Sequence, residues 1–171
     1  MESKALSISI KKIITLETTV FALAFLIPLL FNGSQIITGS IINTLLFISA
    51  VKLSKRILPF LAVIPSLGAV SHGVLFGPFT IYLVYFLPFI WLGNLILMYI
   101  SGLKQKTILS FITAAFAKSI FLYCIAYMFV SFHVVPKIFL TAMGVLQLVT
   151  ALVGGIAAIG ISKYILKPTN E

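Results

Sequence analysis

The chain has 171 residues, of which 61% are hydrophobic and 9% charged, with a formal net charge of +9. So few charged side chains cannot cover the outside of a soluble domain, and an integral membrane protein is expected, with no room for a soluble domain beside it. The positive charge does not point to nucleic acid, because the basic residues gather at the ends of apolar runs and not on one amphipathic face.

Runs of about 20 apolar residues can cross the hydrocarbon of a bilayer. Six can be drawn, at 13–31, 36–51, 57–71, 80–100, 108–131 and 137–161, so the fold class expected is all-α, one membrane domain over residues 1–171. The first run follows Lys4, Lys11 and Lys12 and superficially resembles a signal peptide. Its spanning length, and the lack of a small-x-small site in FNGSQ, predict a retained membrane helix. The third run is the shortest. It carries Pro59 and Pro65 and passes into the uncharged stretch SHGVLFGPF, part of which is expected to dip back into the membrane. The stretch from Pro65 to Asn94 therefore reads as a helix break that needs a protein-lined or water-lined place to sit.

Lys and Arg accumulate on the cytoplasmic side of short loops. Lys4, Lys11, Lys12, Lys52, Lys55, Arg56, Lys104, Lys106, Lys163 and Lys167 fall on one side, ten of the twelve basic residues. The opposite loops contribute only Lys137. Both termini are thus expected in the cytoplasm, and the location expected is a prokaryotic plasma membrane crossed several times.

The remaining cation, Lys118, lies within the fifth run, eleven residues past Thr107 and roughly 16 Å up a helix. It either snorkels toward an interface or points into a pocket, where it could meet an anionic ligand. Glu17 is the one acid within a span. Its depth suits a pair with Lys52 or Lys55 better than one with Lys118. Asn43, Asn94 and Gln147 are uncharged polar residues inside spans two, four and six; they serve either as interhelical hydrogen bonds or as ligand contacts. Their coincidence with Lys118 and with the aromatic Tyr82, Tyr85 and Trp91 suits a small-molecule site, a few polar groups in an apolar cavity.

Two faces read as packing surfaces. In the sixth span Gln147, Thr150, Gly154, Ala158 and Ser162 recur at spacings of three and four, which suits close internal packing. In the first, Thr15, Thr18, Thr19 and Ala22 form a similar face that suits either internal packing or a separate membrane subunit.

Enzyme chemistry finds little support. The chain has no Asp, His72 and His133 lie near loops without an acid to orient them, and no metal-ligand or phosphate-cradling spacing occurs. Cys124 is the sole cysteine, which excludes an intrachain disulfide and reads as a small apolar core residue. No cofactor and no metal are expected.

The order of several patterns, GSIINTLLFISAVKL, PSLGAV and GP, PFIWLGN, AKSIFLY and QLVTALVGG, resembles the S components of energy-coupling factor (ECF) transporters. These are small six-helix membrane subunits that capture vitamins and related micronutrients. The resemblance covers about residues 10–165. It implies a binding subunit without ATPase activity, working with a membrane scaffold subunit and two cytoplasmic ATPases. Its ligand site would take in Trp91, Asn94, Lys118 and Gln147, with loops around Asn32 and His72 as a lid. With Asn43 and Tyr85 these make the candidate substrate-binding set, and Thr15, Thr18 and Ala22 the candidate partner contact. Where the family often carries Ala-x-x-x-Ala in its first helix, this chain has Thr18 and Ala22 at that spacing. A six-helix scaffold subunit of a cell-envelope complex is the alternative reading.

Overall fold

Inside a bilayer the backbone has no water to bond, so a single apolar segment satisfies its N–H and C=O groups by coiling into a helix. The computed structural model describes residues 2–31, 34–72, 81–103 and 108–164, and every regular element among them is helical. In chain order they are α1 (Glu2–Leu30), α2 (Gln35–Lys52), α3 (Leu58–His72), α4 (Leu83–Ser101), α5 (Ile108–Ser131), α6 (Ile138–Met143) and α7 (Val145–Tyr164). Four stretches are long and apolar enough to cross a membrane: Gln35–Lys52, Leu83–Ser101, Ile108–Ser131 and Ile138–Ser162. Shorter apolar stretches among the described residues are Thr15–Leu30 in α1 and Leu58–Ser71 in α3. With α6 and α7 counted as one span, the chain is a six-helix membrane bundle. Its outer face is itself apolar, with Leu26, Phe60, Ile81, Leu109, Ile120 and Ile156 all exposed, as suits contact with lipid.

Helix ends are closed locally. The Ser34 hydroxyl accepts from the Ile36 N–H at 3.2 Å, capping α2. At the end of α5 the Val134 N–H reaches back to the Phe129 carbonyl and the His133 N–H to Val130. That pairing is a Schellman closure, and it puts His133 in the left-handed region with φ 57°.

The helices alternate in direction. α1 packs on α3, α2 on α7 and α4, and α5 on α4 and α7. Glycines set the closest approaches. A Cβ at Gly68 would overlap the Phe25 carbonyl of α1, and one at Gly102 would lie 2.9 Å from the Ala50 carbonyl oxygen of α2. One end of the bundle therefore holds the end of α2, the start of α3, the end of α4 and the end of α7, with Lys52, Lys55 and Arg56 exposed there. The other end holds the start of α2, the end of α3, the start of α4 and the α5–α6 turn.

Two apolar clusters fill the interior. One joins Ala24, Leu46, Phe47, Leu61, Leu97 and Ala115. The other joins Leu83, Phe86, Leu122, Ala126, Phe139 and Met143, with Phe86 stacked on Phe139 at 5.1 Å. Lys118 on α5 and Asn94 on α4 lie along their helices between residues of the two clusters.

Several expectations are corrected. PSLGAV is not a break: Pro65 lies inside α3, which continues to His72. A proline forgoes one intrahelical bond, a loss the surrounding helix tolerates here. The sixth span remains one apolar stretch, Ile138–Ser162, but its helix is interrupted at Gly144, whose φ of −99° and ψ of −90° leave the helical region. A Cβ at that position would press on the Tyr123 ring at 2.7 Å and the Leu140 carbonyl oxygen at 2.8 Å. α1 extends N-terminally of the expected span, from Glu2 to Leu30, which puts Glu17 about halfway along the helix. Glu17 is paired neither with Lys52 nor with Lys55. Cys124 is exposed and not in the core, because an apolar side chain in a membrane bundle can equally well face lipid. The expected lid, SHGVLFGPF from Gly73 onward together with Asn32, lies outside the described residues.

Candidate functional site

The buried lysine is where the bundle departs most from apolar packing. Lys118 sits about 15 Å along α5 from its first residue and is only 3% exposed, so it does not snorkel to either interface. Its ammonium donates to Asn43 Oδ1 and to Asn94 Oδ1, both at 2.8 Å. Three helices, α2, α4 and α5, meet on this one nitrogen.

Both amides are held with their oxygens toward Lys118 because their nitrogens are engaged elsewhere. Asn43 Nδ2 donates to Thr150 Oγ1 of α7 at 3.1 Å, and that hydroxyl in turn donates to the Gln147 carbonyl oxygen at 3.1 Å. Asn94 Nδ2 donates to the Ala62 carbonyl oxygen of α3 at 2.9 Å. The network thus spans α2, α3, α4, α5 and α7, and every partner of Lys118 in it is neutral. An ammonium has three donors, and the third has no partner among the described residues.

A half-open cavity of about 100 Å³ adjoins this network, in the part of the bundle away from the basic cluster of Lys52, Lys55 and Arg56. Asn43, Asn94, Lys118 and Gln147 line it, together with Pro28, Gln35, Thr38, Gly39, Ile42, Pro65, Ser66, Ala69, Leu83, Ile90 and Met143. Gly144 matters to this wall, since the helix break at that residue falls between Met143 and Gln147. Thr38 is 5% exposed, and its hydroxyl has no hydrogen-bond partner among the described residues. A larger hollow of about 340 Å³ opens at the surface between Tyr82 and the α5–α6 turn, lined by exposed His133, Val134 and Lys137. It holds no buried polar network, and the chemistry concentrates in the smaller one.

Among the other sequence candidates, Trp91, Tyr85, Thr15, Thr18 and Ala22 do not line the cavity. Trp91 is half-buried and donates its indole N–H to Ser66 Oγ at 2.6 Å; Ser66 donates onward to the Val63 carbonyl oxygen at 2.7 Å. Trp91 therefore stands one residue behind the wall and holds Ser66 in it. Tyr85 is 54% exposed and points outward. His72 ends α3, and its side chain lies outside the described residues. Thr15, Thr18 and Ala22 share an exposed face of α1, and the Thr19 hydroxyl folds back onto the Thr15 carbonyl at 2.7 Å.

The cavity wall also includes Gln35, Thr38 and Ser66, and Thr150 anchors Asn43 from behind it, none of which the sequence singled out for a site. Thr150 was legible only as part of a packing stripe, and it does both jobs. Gly154 and Ala158 of that stripe are buried against the interior, while Thr150 also anchors Asn43. No group of three or more metal-binding side chains occurs among the described residues. Compared with known proteins, the chain matches no family model, no curated protein and no solved structure.

Proposed function

We propose that the chain is the substrate-capture subunit of an ECF-type importer, taking up a vitamin-like micronutrient that carries negative charge. The observation that carries this reading is Lys118, a buried cation on a cavity wall whose partners are neutral amides. An ionisable residue at membrane depth is expensive and marks a ligand or ion path far more often than packing. The cavity also lies away from the basic cluster formed by Lys52, Lys55 and Arg56. With those cations cytoplasmic, it belongs to the outer half of a prokaryotic plasma membrane, where capture begins. Delivery would require a membrane scaffold subunit and two cytoplasmic ATPases, and the exposed face of Thr15, Thr18 and Ala22 is assigned to that scaffold.

The test is purification of the full chain from its native membrane in mild detergent, with mass spectrometry of companions and of small molecules released on denaturation. Cassette ATPases and a bound organic acid are expected. Recovery with a cell-envelope enzyme, and with neither ATPases nor a small molecule, would overturn the reading. It would favour a scaffold subunit, for which the same network serves as an internal clamp, since Asn43 and Asn94 both accept from Lys118 and are anchored by Thr150 and the Ala62 carbonyl.

A further inference from the structure

The polar groups around Lys118 also restrict which small molecule fits, given that the chain captures one. Both amide oxygens near Lys118 are occupied by its own ammonium, and both amide nitrogens are occupied by Thr150 and Ala62. The oxygens' remaining lone pairs lie beside that ammonium, whose charge repels a cationic ligand. Donors are open beside them: the third ammonium hydrogen and the buried Thr38 hydroxyl have no partner among the described residues. Gln35 and Gln147 each present both a donor and an acceptor and do not discriminate charge.

Among the described residues the lining contains one cation and no carboxylate. One negative charge on the ligand is neutralised there, whereas a phosphate monoester dianion would keep a charge unpaired in an apolar site. The cavity is about 100 Å³, far below the roughly 300–1,000 Å³ typical of drug-sized ligands. Ile42, Leu83 and Ile90 supply apolar wall beside the polar end.

We infer that the site accepts a compact monocarboxylate, its carboxylate on Lys118 Nζ and the Thr38 hydroxyl and its short aliphatic part against Ile42, Leu83 and Ile90. Charge-assisted hydrogen bonds from an ammonium are about twice as strong as neutral ones. The acid should therefore be preferred over its uncharged amide by at least about tenfold in affinity.

Equilibrium dialysis of radiolabelled butyrate against the purified full chain in nanodiscs tests this, with butyramide, butylamine and methyl phosphate as competitors. Saturable butyrate binding is expected, displaced poorly by all three. Lys118→Met should abolish the preference for acid over amide. Thr38→Val leaves the lysine network untouched and should weaken butyrate about threefold to tenfold while the protein stays folded. Absence of saturable butyrate binding, equal or better competition by butyramide or butylamine, or butyrate binding unchanged in both variants would each overturn the ligand class. A chain that co-purifies with cassette ATPases yet binds no carboxylate overturns only this inference. One that binds butyrate without such ATPases overturns only the importer reading.

Discussion

Asn43 of α2 and Gly154 of α7 approach so closely that no side chain fits between the two helices. A Cβ at Gly154 would lie 2.8 Å from Asn43 Cβ and 2.9 Å from both the Ser40 carbonyl oxygen and the Thr44 nitrogen. Two of those three neighbours are backbone, so the helices themselves would have to part. This contact sets the separation at which Asn43 reaches Thr150.

Gly154→Ala is accordingly expected to destabilise the bundle by about 1–3 kcal/mol, the usual cost of overpacking. Gly160→Ala serves as its control, because a Cβ there meets nothing within 4 Å. That change should be neutral or mildly stabilising, by up to about 1 kcal/mol. Thermal unfolding of both variants in the same detergent measures the difference, and equal melting temperatures would contradict the close contact.

Asn94→Leu removes one of the two oxygens that solvate the Lys118 ammonium, and the side-chain donor to the Ala62 carbonyl. Loss of one neutral hydrogen-bond partner of a buried charge costs about 1.5–3 kcal/mol. Adding Lys118→Met to the Asn94→Leu chain removes that charge, and the double variant should be more stable than the single one. The sign of this second step is the diagnostic: further destabilisation on adding Lys118→Met would mean that the lysine is not held by these amides.

Ser66→Ala leaves the Trp91 indole N–H without its acceptor, at a cost of about 1–3 kcal/mol if no water replaces it. Trp91 is the only tryptophan, so its emission reports on this one bond. A shift of the emission maximum to shorter wavelength is expected in Ser66→Ala. An unchanged spectrum would place the indole elsewhere.

Ala22→Trp puts a bulky ring on the exposed face that α1 shares with Thr15 and Thr18. If a scaffold subunit docks there, its recovery with the chain should fall at least about tenfold, a loss of some 1.4 kcal/mol or more. Small-molecule binding by the isolated chain should be unaffected. Undiminished scaffold recovery would move the docking surface to another helix.

Much of the molecule was legible from composition and spacing. Six apolar runs separated by short polar connections leave little choice but a helical membrane bundle, because lone segments in lipid satisfy their backbones only as helices. Polar residues are conspicuous against such a background, which is why Asn43, Asn94, Lys118 and Gln147 stood out and why the structure finds all four on one cavity. The stripe of Thr150, Gly154 and Ala158 was legible for a related reason: small side chains at spacings of three and four leave room for one specific neighbour.

What only the tertiary structure decided is which way each side chain faces and whom it meets. Tyr85 points out while Phe86 beside it is buried; Cys124 faces out while Leu122 is buried. In water, polarity separates an inside from an outside, but lipid is as apolar as the core, so that signal is lost. The partners of Lys118 were hidden for the same reason. A carboxylate such as Glu17 is the obvious counter-charge in a sequence, whereas two asparagine oxygens become one cation site only when α2, α4 and α5 are packed together, with Thr150 and Ala62 holding both amides in place.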